Sequence, residues 1–196
     1  IELRNLGYKV NHLDLGGGFG VDYTMKNSLN YKSFSKALNE VFKNKEFQLS
    51  VEPGRSLIAE SGILLTKVIR TKSTNNKNFL IVDAAMNNLI RPTLYNATHS
   101  IQPLKIKSDR SSKKYDVVGP ICETGDFLGI DFNLQETKKN EVLAIMTCGA
   151  YGSVMRSNYN SRPSAAEVFI FNNKEILLRK REKIDQLLNL DIIPNF

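Results

Sequence analysis

Apolar and polar positions along the chain change their spacing near Ser61. Before that point, Leu13 and Leu15 flank Asp14 in Tyr8–Leu15, a stretch that predicts a buried strand ending abruptly in Gly16-Gly17-Gly18. Phe34, Leu38, Val41 and Phe42 recur at helical spacing and predict an amphipathic helix over Tyr31–Phe42, with Ser33 or Ser35 capping its start. Phe47–Val51 predicts the next strand, which runs into Glu52-Pro53-Gly54-Arg55. Strand, loop, helix and strand in that order form a βα repeat with parallel strands, and such folds bind ligands where their strands end. Ahead of the repeat, Ile1, Leu3 and Leu6 followed by Gly7 and Tyr8 read as the last turn of a helix with its glycine stop.

After Ser61 the pattern becomes that of short strands: Ile63–Arg70, Phe79–Ala84, Tyr115–Val118, Val142–Cys148 and Glu167–Leu178. Thr74-Asn75-Asn76-Lys77, Lys138-Lys139-Asn140 and Asn172-Asn173-Lys174 punctuate them, the last as a hairpin turn. Strands without long intervening helices predict an all-β domain. Ile184, Leu187 and Leu188 share one face of a closing helix over Lys183–Leu190. The Ser-, Asn- and Lys-rich stretches Thr71–Asn78 and Lys105–Lys114 read as mobile loops.

Composition narrows the function. The 196 residues are 41% hydrophobic, enough for a packed core. No apolar run approaches the ~20 residues of a membrane span, so a membrane partner is not expected. The opening Ile-Glu-Leu-Arg-Asn carries no signal-peptide pattern and reads as the interior of a larger protein. Two cysteines, Cys122 and Cys148, make no disulfide framework and predict a reducing, cytoplasmic setting. The net charge of +7 raises nucleic acid as a partner. Against it, the lysines are scattered, and the one dense run, Arg179–Lys183, has no interleaved aromatics.

Five clusters can carry chemistry: the glycine turn, Glu52–Arg55, Arg91–Tyr95, Cys122–Asp126 and Gly149–Tyr151. Glycines at a strand end expose backbone N–H groups that can cradle a phosphate, or they simply turn the chain. Glu52 is a site carboxylate or a surface one, and Arg91 an anion clamp or a solvated loop cation. Cys122, in a polar loop, is an accessible thiol or a small core residue, whereas Cys148, inside a strand run, reads as core.

Together, Leu-Asp-Leu-Gly-Gly-Gly-Phe-Gly, Val-Glu-Pro-Gly-Arg, Arg-Pro-Thr-Leu-Tyr-Asn-Ala-Thr-His, Gly-Pro-Ile-Cys-Glu-Thr-Gly-Asp and Cys-Gly-Ala-Tyr resemble, in that order, the C-terminal half of the diaminopimelate decarboxylase family. These are fold-type III pyridoxal-phosphate enzymes, akin to ornithine and arginine decarboxylases and, through the barrel, to alanine racemase. The resemblance implies an α/β plus all-β chain. Residues 1–62 would be the last βα units of an alanine-racemase-like (β/α)8 barrel, and residues 63–196 a C-terminal β-barrel or sandwich domain with its closing helix. It implies pyridoxal 5'-phosphate held by Gly17, Gly18, Gly54 and Arg55, with Tyr151 reaching the phosphate or the substrate and Glu52 beside the pyridine nitrogen.

It further implies that Arg55, Arg91 and Tyr95 grip substrate carboxylate, that Glu123 recognises the far ammonium group, and that Cys122 is the catalytic acid. No metal is implied. The Cys122–Glu123 loop would serve the neighbouring subunit of a homodimer. Arg91 with Tyr95, and Glu123 after Cys122, favour meso-diaminopimelate decarboxylated to lysine; the alternatives are a non-catalytic relative or an ornithine- or arginine-type enzyme. The family's cofactor-bearing lysine lies in the first half of its barrel, and no lysine here matches that motif. The resemblance therefore implies a fragment, inactive alone, with two barrel strands whose open edges expose apolar surface.

Overall fold

The computed structural model describes residues 2–27, 30–43, 45–189, 191–192 and 194. Helix α1 (Glu2–Asn5) ends as its glycine stop predicts: Gly7 is left-handed at φ +88°, and the N–H groups of Gly7 and Tyr8 donate to the Arg4 and Leu3 carbonyls. Ile1 lies outside the described residues. Strand β1 (His12–Asp14) and strand β2 (Gln48–Ser50) pair in parallel, with helix α2 (Tyr31–Phe42) between them in sequence. The helix spans the predicted residues, but its cap is Asn30, whose side chain accepts the Ser33 N–H at 3.0 Å. Ser33 and Ser35 already lie inside the helix, where their own N–H groups need partners rather than caps.

Within this chain Tyr8–Leu15 is not buried: among the described residues β1 and β2 pair only with each other, so Leu13 is half-buried and Leu15 exposed, the open edges and exposed apolar surface that the resemblance implies for two strands of a larger barrel. Leu15, Val51, Phe34 and Val41 accordingly stand exposed on and around this small sheet.

Past the short helix α3 (Arg55–Ile58) the chain builds a six-stranded sheet. Its strands are β3 (Leu64–Ser73), β4 (Asn78–Val82), β5 (Ile101–Pro103), β6 (Ser112–Val118), β7 (Phe127–Gln135) and β8 (Val142–Ile145). Their order is β5-β8-β3-β4-β6-β7, antiparallel throughout except for the parallel pair β4–β6. The two edge strands approach each other, β7 bringing Gly129 against Ile101 of β5, so the sheet curls into a nearly closed barrel. Val68, Leu80, Val82, Leu89, Val117, Leu128, Leu143 and Ile145 fill its interior with no exposed surface.

Several elements differ from expectation. β7 is absent from the predicted strands, as are β5 and the helix α4 (Arg91–Tyr95). β3 runs on to Ser73 and β6 begins at Ser112, so the predicted loops are shorter than Thr71–Asn78 and Lys105–Lys114. β8 stops at Ile145, three residues before Cys148. Glu167–Leu178 resolves into the expected hairpin, β9 (Glu167–Phe171) and β10 (Lys174–Arg179), turning through left-handed Asn172 and Asn173. The closing helix α5 covers Ile184–Leu188, and its Gln186 side chain accepts the Lys183 N–H at 2.8 Å. Leu190 of the predicted helix lies outside the described residues. Among the described residues no helix is long and apolar enough to cross a membrane.

Candidate functional site

The glycine corner after β1 is closed by its own aspartate: Asp14 Oδ1 accepts the Gly16 N–H at 2.7 Å. Gly18 then takes φ +80°, a conformation that disfavours any side chain. The same corner abuts the end of β2. Glu52 N–H donates to the Gly16 carbonyl at 2.8 Å, and a Cβ on Gly17 would lie 2.6 Å from the Glu52 carbonyl oxygen. The two strand ends thus present adjoining bare main chain to one side.

That side is a cleft of about 770 Å3. It gathers Gly17, Gly18, Glu52, Gly54, Arg55, Arg91, Tyr95 and Tyr151, eight predicted site residues from four separate segments. Phe19, Ser56, Ala97 and Met155 complete its wall. Glu52, expected at the end of a buried strand, is exposed to the cleft because β2 itself is open.

Arg91 reaches the cleft from the first position of α4, where Pro92 follows without loss, since the first-turn N–H groups have no helical partner. The residue is only 5% exposed. Its Nε is buried without a hydrogen-bond partner, and among the described residues no carboxylate pairs with it. Three tyrosine rings surround the guanidinium, with Cζ 5.0 Å from the centroid of Tyr23, 5.6 Å from Tyr95 and 5.9 Å from Tyr151. A buried cation with no anion is costly unless something charged or strongly polar meets it. Behind it, His99 is fully buried, with Nδ1 2.9 Å from the Met146 carbonyl. A carbonyl only accepts, so that nitrogen carries the proton. Burial lowers the pKa of His99, the Arg91 charge adds to the effect, and the imidazole stays neutral.

Tyr151 is aimed by backbone strain. It sits at φ +57° between Ala150 and Gly152. The preceding loop lies flat on the segment after α3: Cys148 N–H donates to Gly62 O at 2.7 Å and Gly149 N–H to Ala59 O at 2.9 Å. A Cβ on Gly149 would collide with the Ile58 carbonyl, and one on Gly62 would come 2.7 Å from the Gly149 Cα. This main-chain seam carries Tyr151 to the Gly54–Arg55 corner.

Cys122 and Glu123 are not in the cleft; both are exposed on the loop between β6 and β7. Asp126 holds that loop in shape. It is 4% exposed, and its two carboxylate oxygens accept the N–H groups of Met86 and Ile121, each at 2.7 Å. Burial raises its pKa while those two donors pull against the rise. Glu123 accepts the Tyr159 hydroxyl at 3.3 Å; its charge, and then that hydrogen bond, raise the phenol's pKa. Cys148 instead packs against the sheet core, where burial pushes its thiol up to about 12. Of the two free thiols, Cys122 is the accessible one.

The sequence assigned no individual role to Tyr23, His99 or Asp126, although Asp126 closes one of the five clusters. His99 and Asp126 close two of the quoted motifs, so a signal existed for them. Tyr23 sits in a loop with no local signal at all.

The arrangement has counterparts. Residues 19–149 match the family model described as pyridoxal-dependent decarboxylase, C-terminal sheet domain. The chain is similar to a diaminopimelate decarboxylase of Aquifex aeolicus, 43% identical over 97% of this chain and 46% of that protein. It is 44% identical to a diaminopimelate decarboxylase of Vibrio cholerae over 98% of this chain and 46% of that one. Among solved structures it resembles the diaminopimelate decarboxylase of Helicobacter pylori complexed with L-lysine, at 38% identity and a TM-score of 0.86 over 96% of this chain and 46% of that one. The chain thus spans about half the length of the curated relatives it matches. On the family match over most of its length, the chain belongs to the pyridoxal-dependent decarboxylases and carries their C-terminal sheet domain.

Proposed function

We propose that the protein catalyses the pyridoxal 5'-phosphate-dependent decarboxylation of meso-2,6-diaminopimelate to L-lysine, the last step of lysine biosynthesis, as a cytoplasmic homodimer with shared active sites. Residues 1–62 are read as the last βα units of a (β/α)8 barrel and residues 63–196 as the sheet domain with its closing helix. The observation that carries the reading is Arg91. A buried guanidinium without an anion, set in the same cleft as two bare-backbone corners, calls for an anionic ligand there. The names of the curated relatives supply the substrate.

The cleft fits the cofactor. Gly17 has no room for a side chain, and the adjoining corners offer backbone to a phosphate. Gly17, Gly18 and Gly54 would hold that phosphate by main-chain N–H groups, with Arg55 and the Tyr151 hydroxyl completing its shell. Glu52 would keep a proton on the ring nitrogen, because an adjacent carboxylate favours the charged form. When bound, pyridoxal phosphate supplies the electron sink for the carbon that loses carbon dioxide. Arg91, Arg55 and Tyr95 would hold substrate carboxylate. A site built around Arg91 penalises substrates without the second carboxylate, since they leave the guanidinium unpaired. Glu123 would take the far ammonium group and Cys122 would return a proton to carbon. Both lie outside their own chain's cleft and are exposed, which suits a loop that serves a second copy.

The test is carbon dioxide and lysine release by the full-length, cofactor-loaded protein, with ornithine and arginine assayed in parallel. Turnover of diaminopimelate alone is expected. Turnover of ornithine or arginine instead would move the protein to a sister activity, and a folded, loaded protein inert on all three would be a binding relative only. Cys122→Ala should lower product formation about 100-fold or more while sparing cofactor binding.

A further inference from the structure

We infer that Tyr23 is a positioning residue that holds the Arg91 guanidinium in register for its anionic ligand, acting through the face of its ring. The inference rests on Arg91 being the carboxylate clamp of the proposed reaction.

The three rings around Arg91 are not equivalent. Tyr95 and Tyr151 line the cleft and are 58% and 46% exposed, so water competes at their faces. Tyr23 does not line the cleft; it backs Arg91 from behind and is the nearest of the three at 5.0 Å. Its hydroxyl is shut off from solvent. Attraction between a cation and an aromatic face grows as water is removed, so the ring behind Arg91 is the one that matters most.

Tyr23 is also fixed from two directions. Its carbonyl accepts the Ser100 N–H at 2.9 Å, tying this loop to the segment entering β5. Its ring meets the buried His99 edge-on, centroids 4.7 Å apart at 65°. The neutral imidazole braces the ring without repelling the guanidinium. Among the described residues the Tyr23 hydroxyl, Arg91 Nε and His99 Nε2 lack hydrogen-bond partners, so the three side chains meet by packing, with His99 anchored through Nδ1 to the Met146 carbonyl. A guanidinium backed at 5.0 Å by a fixed ring has fewer orientations open to it. That lowers the ordering cost when a carboxylate arrives.

The experiment uses full-length, cofactor-loaded protein and measures diaminopimelate affinity by calorimetry alongside KM and kcat. Tyr23→Phe keeps the ring and should stay within about 3-fold of the parent, whereas Tyr23→Leu should weaken binding and raise KM roughly 10- to 30-fold with a smaller change in kcat. In an Arg91→Met background Tyr23→Leu should add almost nothing, as expected if it acts through Arg91. Phenylalanines carrying one, two and three fluorines at position 23 remove face charge while keeping the shape. They should weaken binding stepwise, by about 2-fold each, and they remain informative if the leucine variant does not fold. Full additivity of Tyr23→Leu with Arg91→Met, or a flat response to fluorination, overturns the role of Tyr23 while leaving the proposed reaction standing. A parent protein that neither binds nor turns over diaminopimelate defeats the proposed reaction instead, and this inference with it.

Discussion

The β1–α2–β2 region and the six-stranded sheet are built by opposite logics. Among the described residues the small parallel sheet has three-residue strands, two open edges and no fully buried residue, yet it supplies the backbone corners of the cleft. The six-stranded sheet carries the core, and the segments attached to it bring Arg91, Tyr95 and Tyr151 to the cleft, whereas Glu52 and Arg55 arrive from the end of β2. Backbone corners from the first region and a buried arginine held by the second thus meet in one cleft.

The comparison breaks first in the core. Leu80→Ala empties a fully buried position in β4 and should cost about 2–5 kcal/mol, whereas Leu13→Ala in half-buried β1 should cost about 1 kcal/mol. Urea unfolding of the two variants measures the gap, and equal losses would contradict the contrast. Gly149→Ala attacks the seam between the regions. Its methyl would meet the Ile58 carbonyl, and a loss of about 1–3 kcal/mol is expected, together with weaker cofactor uptake as Tyr151 shifts. Unchanged melting and unchanged uptake would show that the seam yields freely.

Asp126→Asn sharpens the comparison inside the sheet. The amide keeps one acceptor and leaves the Met86 or Ile121 N–H unpaired, for about 1–3 kcal/mol. Thermal melts with alkylation of Cys122 as a second readout check it, since a loosened loop should change the labelling rate. The smallest effect concerns Glu141, which accepts from Lys107 and Arg110 and from the Lys138 N–H. The Arg110 hydrogen bond, helped by Lys107, lowers its pKa from 4.5 to about 2. A depressed carboxylate pKa gives stability above the unfolded value that is lost as pH falls through the folded one. The melting-temperature gap between the parent and Glu141→Gln should therefore persist at neutral pH and close between about 4.5 and about 2.

What could be read from the sequence divides along the same line. Helix α2 and the β9–β10 hairpin announce themselves because their periodicity is local. β7 hides because Gly129, Asp131 and Asn133 look like turn residues. Gly129 is small because Ile101 and Phe132 crowd it, and left-handed Asp131 donates its N–H to Asp116 at a register shift. Both reasons are tertiary. β5 is three residues ending in proline, too short for any pattern. In the site, the glycine turn, Glu52, Arg91 and Tyr151 stand in compact motifs and were legible. Tyr23 acquires its place only through Arg91 and His99, 68 and 76 positions further along.

The meeting of Gly62 with Gly149 has one more consequence. Because peptide groups themselves touch there, this part of the join between the two regions depends on two missing side chains. Surrounding surfaces are then free to drift in sequence without disturbing the angle at which one region faces the other. Away from the residues that would hold the cofactor, a saturation library scored for its uptake should show sharp intolerance at Gly62 and Gly149 and tolerance on the surfaces around them.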